Sequence, residues 1–325
     1  MKIIYLNPLG LLITLIIGLI LLCNSCSRNE QKETIQEREV APVYAVDVGL
    51  EAEFGDLFEL VEVIPLGLKG QDFFINPYRL IIHDGRFYLL DPVFGSLLCL
   101  SGEGEMIFKI GSLGDGPKEL PDIADFAINP ITQEIILSSI SDRSLAYYNL
   151  QNQFLRKERY ANQSDMIAAS AQGLISRSVT YFNNDFHNLE ILSQSGDVEK
   201  LYFPFPKDVR PILLKNISGH LTSSIDSGFL FLEPASSIIY EVDEKKAYPK
   251  YSFTSYDEMW PQDKKHDING FFTKVSKGEI SHPTRFFEES QDYLFFGWNK
   301  RSGGISHQIV DYRIGLFDKG KNLLY

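Results

Sequence analysis

The sequence predicts an all-β domain built from repeated four-stranded units, a β-propeller. Three observations predict it. Short apolar runs recur along the chain, broken by Gly, Asp, Asn and Pro rather than by helical-length segments. Within 78–110 four such runs follow one another, and the first two are joined by Asp84-Gly85, the strongest short hairpin signal because both turn residues need positive φ. The chain carries 16 Tyr and 23 Phe against 4 Met, a composition that fits pleated, half-buried strands. Four antiparallel strands in a stretch of this size make one propeller blade.

Taken in order, residues 1–26 form a targeting segment. Lys2 supplies a positive start, 9–22 is apolar and of secretory length, and Cys23-Asn-Ser-Cys26 follows. A small residue, Ser25, before Cys26 resembles a lipoprotein signal, which implies lipidation at Cys26 and anchoring in the membrane through several acyl chains. Residues 27–42 are polar and charged and read as a flexible tether. Residues 43–325 form the propeller. Two early strands are expected, 43–48 and 58–66, the first pairing with the last blade to close the ring. Blade one is 78–83, 86–91, 96–100 and 106–110. Blade two is 126–129, 134–138, 144–149 and 154–158. Blade three is 165–169, 174–181, 186–193 and 198–203. Blade four is 221–226, 229–233, 237–242 and 247–253. A connector containing a helix over 270–277 leads to blade five, 280–288, 293–298, 308–317 and 323–325.

Several stretches resemble a known family. Ile110-Gly111, Gly114-Asp-Gly-Pro-Lys-Glu119 and Asp125-Phe-Ala-Ile-Asn129 look like the linker into the next inner strand of the six-bladed β-propeller lipoproteins of Bacteroidota, themselves similar to NHL-repeat propellers. Leu89-Leu-Asp91, Ile238-Ile-Tyr240 and Tyr248-Pro-Lys-Tyr251 fit the same blade pattern. The resemblance implies six blades and an outer-membrane lipoprotein of the cell envelope, its periplasmic or surface face open. The runs supply five blades. Either the N-terminal strand completes blade five in a smaller ring, or the sixth position is incomplete; the second fits the family better.

The formal net charge of −12 argues against nucleic acid as partner, since phosphate binding needs a basic footprint. Three cysteines, two of them in the targeting segment, build neither a disulfide framework nor a thiolate metal site. No nucleophile elbow, zincin helix or calcium loop is present, and no cofactor is expected. The predicted role is therefore a binding or scaffolding module for a protein, peptide or glycan. Its candidate contacts are His282 and Arg285 beside an inner strand, and Trp260 and Trp298 as stacking surfaces. The alternative is a channel enzyme, a lyase or hydrolase, with a divalent metal held by His83, His220 and His282 from separate blades. Asp91, Asp125 and Asp226 sit at strand ends, where a carboxylate serves either as acid or base or as an acceptor for turn N–H groups.

Overall fold

The computed structural model describes residues 43–48, 55, 58–68, 78–111, 114, 116, 118–179, 185–193, 195–208, 220–226, 228–255, 258–301 and 309–324. Among them are five antiparallel four-stranded units, each a blade. Blade one comprises β2 (Arg79–His83), β3 (Arg86–Asp91), β4 (Ser96–Leu100) and β5 (Met106–Ile110). Blade two comprises β6 (Asp125–Asn129), β7 (Glu134–Ser139), β8 (Ser144–Asn149) and β9 (Phe154–Arg159). Blade three comprises β10 (Met166–Ala169), β11 (Ile175–Ser178), β12 (His187–Leu192) and β13 (Val198–Pro204). Blade four comprises β14 (His220–Ser223), β15 (Phe229–Leu232), β16 (Ile238–Val242) and β17 (Ala247–Ser255). Blade five comprises β18 (Ser281–Glu289), β19 (Tyr293–Arg301), β20 (Ile309–Asp318) and β21 (Leu323–Leu324).

The turns follow local chemistry. Asp84 and Gly85 both take positive φ, 51° and 69°, so the β2–β3 hairpin closes with its strands in matched twist. Strand alternation then gives each blade two apolar faces, which stack on neighbouring blades. One core joins blades one and two, with Tyr88 and Leu97 against Phe126 and Leu137. A second joins two and three through Ile136, Tyr147 and Ile167. A third joins three and four through Leu189, Leu221 and Phe231. A fourth joins four and five through Phe253, Phe296 and Trp298. Among the described residues no apolar core joins blade five to blade one.

Three expectations need correction. The described blades number five, not six, because the strands form five complete sets and none is left for a sixth. The N-terminal strand β1 (Tyr44–Val48) does not pair with the last blade. It adds in parallel to β17, as a fifth strand of blade four. The reason is packing: β21 already pairs with β20, whereas the β17 side lets Val46 enter the core between blades four and five and Tyr44 stack on Tyr251 at 5.3 Å. Residues 58–66 form no strand. They run from blade five, where Phe58 meets Phe295 with ring centroids 5.5 Å apart, to blade one, where Gly67 bridges to Glu105. The connector helix does form, as α1 (Ile268–Ser276), capped by Asp267, whose side chain accepts from the Gly270 N–H at 2.9 Å.

Candidate functional site

The five inner strands β2, β6, β10, β14 and β18 surround a cavity of about 610 Å³. Its walls are mixed. Leu80, Ile82 and Phe286 give apolar surface, and Arg79, Thr222 and Glu288 give the polar part. This combination, apolar walls with a few converging polar groups, is the usual make-up of a small-ligand site.

Arg79 opens β2 and reaches across the ring. Its Nη1 pairs with Asp125 Oδ2 at 2.6 Å and donates to the Ile167 carbonyl at 2.9 Å, so one guanidinium ties blades one, two and three together. Asp125 also accepts the Ile167 N–H at 2.9 Å. Burial works against the Arg79 charge, but Asp125, helped by Glu288, more than reverses this and holds its pKa above the ordinary value. The Arg79 charge is thus matched locally by Asp125.

Glu288 stands differently. Its carboxylate accepts from Thr222 Oγ1 at 3.1 Å and has no ion-pair partner among the described residues, although it faces the cavity. Burial raises its pKa, with Arg79 and Thr222 pulling only partly the other way. The next residue, Glu289, points to the opposite face of the strand, as the two-residue period of a strand requires. There it is buried among Lys250, Lys319 and Tyr251. Lys250 Nζ meets Glu289 at 2.9 Å, Asp226 at 2.8 Å and Glu241 at 3.2 Å. Burial alone would lower the Lys250 pKa, but these carboxylates reverse it and hold it raised. Two successive glutamates therefore serve two purposes: Glu289 locks blade four to blade five, and Glu288 is presented to the cavity.

The residues expected from sequence are not brought together. Trp260 is buried, donates from Nε1 to the Lys264 carbonyl at 2.9 Å and packs edge-on against Phe271. Trp298 is buried against Phe253. Neither indole lines the cavity, because the connector and the blade four–five core enclose them. His282 packs on Phe271 of α1 with centroids 5.6 Å apart. His220 does line the cavity, its ring edge-on to Phe287. His83 closes β2, about 13 Å along the strand from Arg79 at the usual rise per residue, and is not part of the wall. Among the described residues no three His, Cys, Asp or Glu side chains group to hold a metal, so the three-histidine set is not assembled. Asp91 accepts from the Val93 and Phe94 N–H groups at 2.9 and 3.2 Å, the turn role a strand-end carboxylate suits. The Arg285 side chain and Cys26 lie outside the described residues. Sequence reasoning missed Arg79 and Glu288. The signal available was a charged residue within each apolar inner-strand run, where only a partner across the ring makes a charge tolerable.

Comparison with solved structures agrees on the fold. A Bacteroides fragilis NCTC 9343 protein described as exported superposes with a TM-score of 0.70 at 16% identity, over 87% of this chain and 79% of that one. A member of the DUF4221 family from Bacteroides vulgatus ATCC 8482 superposes with a TM-score of 0.55 at 10% identity, over 80% and 82%. A catalytically inactive virginiamycin B lyase from Staphylococcus aureus matches more loosely, with a TM-score of 0.46 at 10% identity over 80% and 71%. No curated protein matches the chain. Residues 39–325, the whole propeller with its first strand, match the family described as a domain of unknown function, DUF4934, and the chain belongs to that family.

Proposed function

We propose that this protein is a lipid-anchored binding module of the cell envelope, and that its ligand enters the central cavity. The observation that carries the reading is Glu288, a carboxylate facing a large, partly apolar cavity with a single hydroxyl donor and no cation of its own among the described residues. Arg79 is neutralised by Asp125, so the uncompensated charge of the wall is negative. The ligand that fits is amphipathic: an apolar body against Leu80, Ile82 and Phe286, and an amine or other cation at Glu288. Free peptides and amino-bearing molecules belong to this class. Anchoring through Cys26 rests on the lipoprotein-type signal and on the exported character described for the Bacteroides fragilis neighbour.

Two measurements test the two halves. In a thermal-shift panel of shape-matched amines and acids, the amines should stabilise the protein, and Glu288→Gln should remove that shift. The effect should grow as pH rises above the ordinary glutamate range, because the raised pKa of Glu288 keeps the carboxyl protonated and neutral at acid pH. A preference for the acids, or a shift that survives Glu288→Gln, contradicts the reading. Separately, a labelled fatty acid fed to expressing cells should enter the wild-type chain and not Cys26→Ala; equal labelling of both removes the anchor.

A further inference from the structure

Five blades need five inter-blade seams to form a closed ring, and the described residues supply apolar cores for four. On the sheet faces turned toward the fifth seam Leu89, Leu98, Leu100 and Leu316 are buried, and exposure is concentrated at the inner strands beside the cavity and at Ile314. On blade one, Leu80 and Ile82 are 55% and 64% accessible; on blade five, Phe286 and Ile314 are 39% and 54% accessible. Register places each pair on one sheet face, the face opposite to that blade's shared core. Residues 58–67 run between blades five and one as a strap fixed at both ends. Phe58 packs on Phe295, and the Gly67 N–H donates to the Gly104 carbonyl at 2.9 Å. The far anchor depends on Gly104, since any Cβ there would collide with the Pro65 carbonyl. Between the anchors, Leu60, Val61 and Val63 are 79%, 92% and 74% accessible. Glu59 and Glu62 are exposed among them.

A surface of this kind, β-prone, apolar and outside any sheet, is what a partner strand pairs with in β-augmentation. We propose that the strap is a docking site for an extended segment of another protein in which apolar and basic residues alternate. Charge decides the occupant. Glu59 and Glu62 interleave with the apolar positions, and the chain carries a net charge of −12, so a second copy presenting the same strap would set like charges against each other. A basic–apolar strand instead meets Glu59 and Glu62 with opposite charge and lays its apolar side chains on Leu60, Val61 and Val63. The site goes beyond the cavity reading, because it uses backbone and side chains of residues 59–64 rather than Glu288.

The test uses the full-length chain in a mild non-ionic detergent and a fluorescent, end-capped peptide of alternating Val and Lys, with its Val–Glu counterpart as control. The Val–Lys peptide should bind saturably and more weakly at high salt. Val61→Pro or Glu62→Pro, one of which removes an outward N–H, should weaken binding about tenfold, since one lost hydrogen bond of ordinary strength has that effect. Val61→Ala, which keeps the N–H, should change it less than about threefold. The same titration in Glu288→Gln removes any uptake of the lysine amines by the cavity; binding that persists there and falls with the proline variants belongs to the strap, so failure of the cavity reading and failure of this one are distinguishable. Absence of Val–Lys binding, equal binding of the Val–Glu peptide, or indifference to both proline variants overturns the proposal. A concentration-dependent dimer in sedimentation velocity that Val61→Asp dissolves overturns it too, assigning the strap to a second copy.

Discussion

At the scale of single residues, charge placed inside apolar strands governs this molecule. Lys250 is held by three carboxylates, at 2.8, 2.9 and 3.2 Å, in the wall between blades four and five. Its pKa is raised in the folded protein, so its contribution to stability is complete below the ordinary lysine value of 10.5 and is lost as pH rises through the higher folded value. Denaturant unfolding should therefore show an alkaline fall in stability that Lys250→Met lacks. At neutral pH the same variant should be less stable by about 3 kcal/mol, because Glu241 would remain buried without its cation and Glu289 would keep only Lys319 at 3.5 Å. A variant as stable as wild type at pH 7 would show that the network sets register without adding stability. Glu288, one residue from Glu289, carries the opposite lesson: the same side chain is a structural bolt at Glu289 and, at Glu288, a carboxylate without an ion-pair partner among the described residues.

At the scale of elements, β1 is the clearest case of a segment whose place is chosen by packing. Its strand character was legible from the alternation Tyr44, Val46, Val48, but its partner was not. Val46 enters an apolar core formed by two blades whose strands lie some two hundred residues later in the chain. Val46→Asp should cost about 3 kcal/mol, the penalty for burying an unpaired charge after relaxation, and should lower the denaturant midpoint without changing the slope. No effect would mean that β1 is a dispensable addition to blade four. The hairpin turns were legible for the opposite reason. Asp84-Gly85 fixes its own geometry through positive φ, whatever lies around it. Strands predicted over 134–138 and 144–149 accordingly end within a residue of β7 and β8. The expected strand at 58–66 failed because a strand also needs an edge to pair with, and this segment is drawn between two blades instead.

At the scale of the whole molecule, the exposure of the inner strands sets the distribution of stability. Strands β6 and β10 are buried along their length, whereas β2 exposes Leu80 and Ile82 and β18 exposes Phe286. Hydrogen exchange followed by mass spectrometry should find β6 and β10 slowest and β2 and β18 opening more readily. Uniform protection of all the inner strands would show that this exposure does not loosen them.

The sequence by itself determined the blades: strand period, turn residues and aromatic content are local properties, and they located four-stranded units almost residue by residue. It also argued against nucleic acid as a partner, since net charge is a sum that needs no fold. What only the tertiary structure decided was every contact between blades. Arg79 with Asp125, Lys250 with Glu289, and β1 with β17 join residues far apart in the chain. The buried tryptophans and the scattered histidines show the converse, residues that looked functional by type and were placed by packing. Ring closure belongs to the same class, because the number of seams that can be filled depends on how far each blade is rotated from the last, a quantity carried by no residue alone.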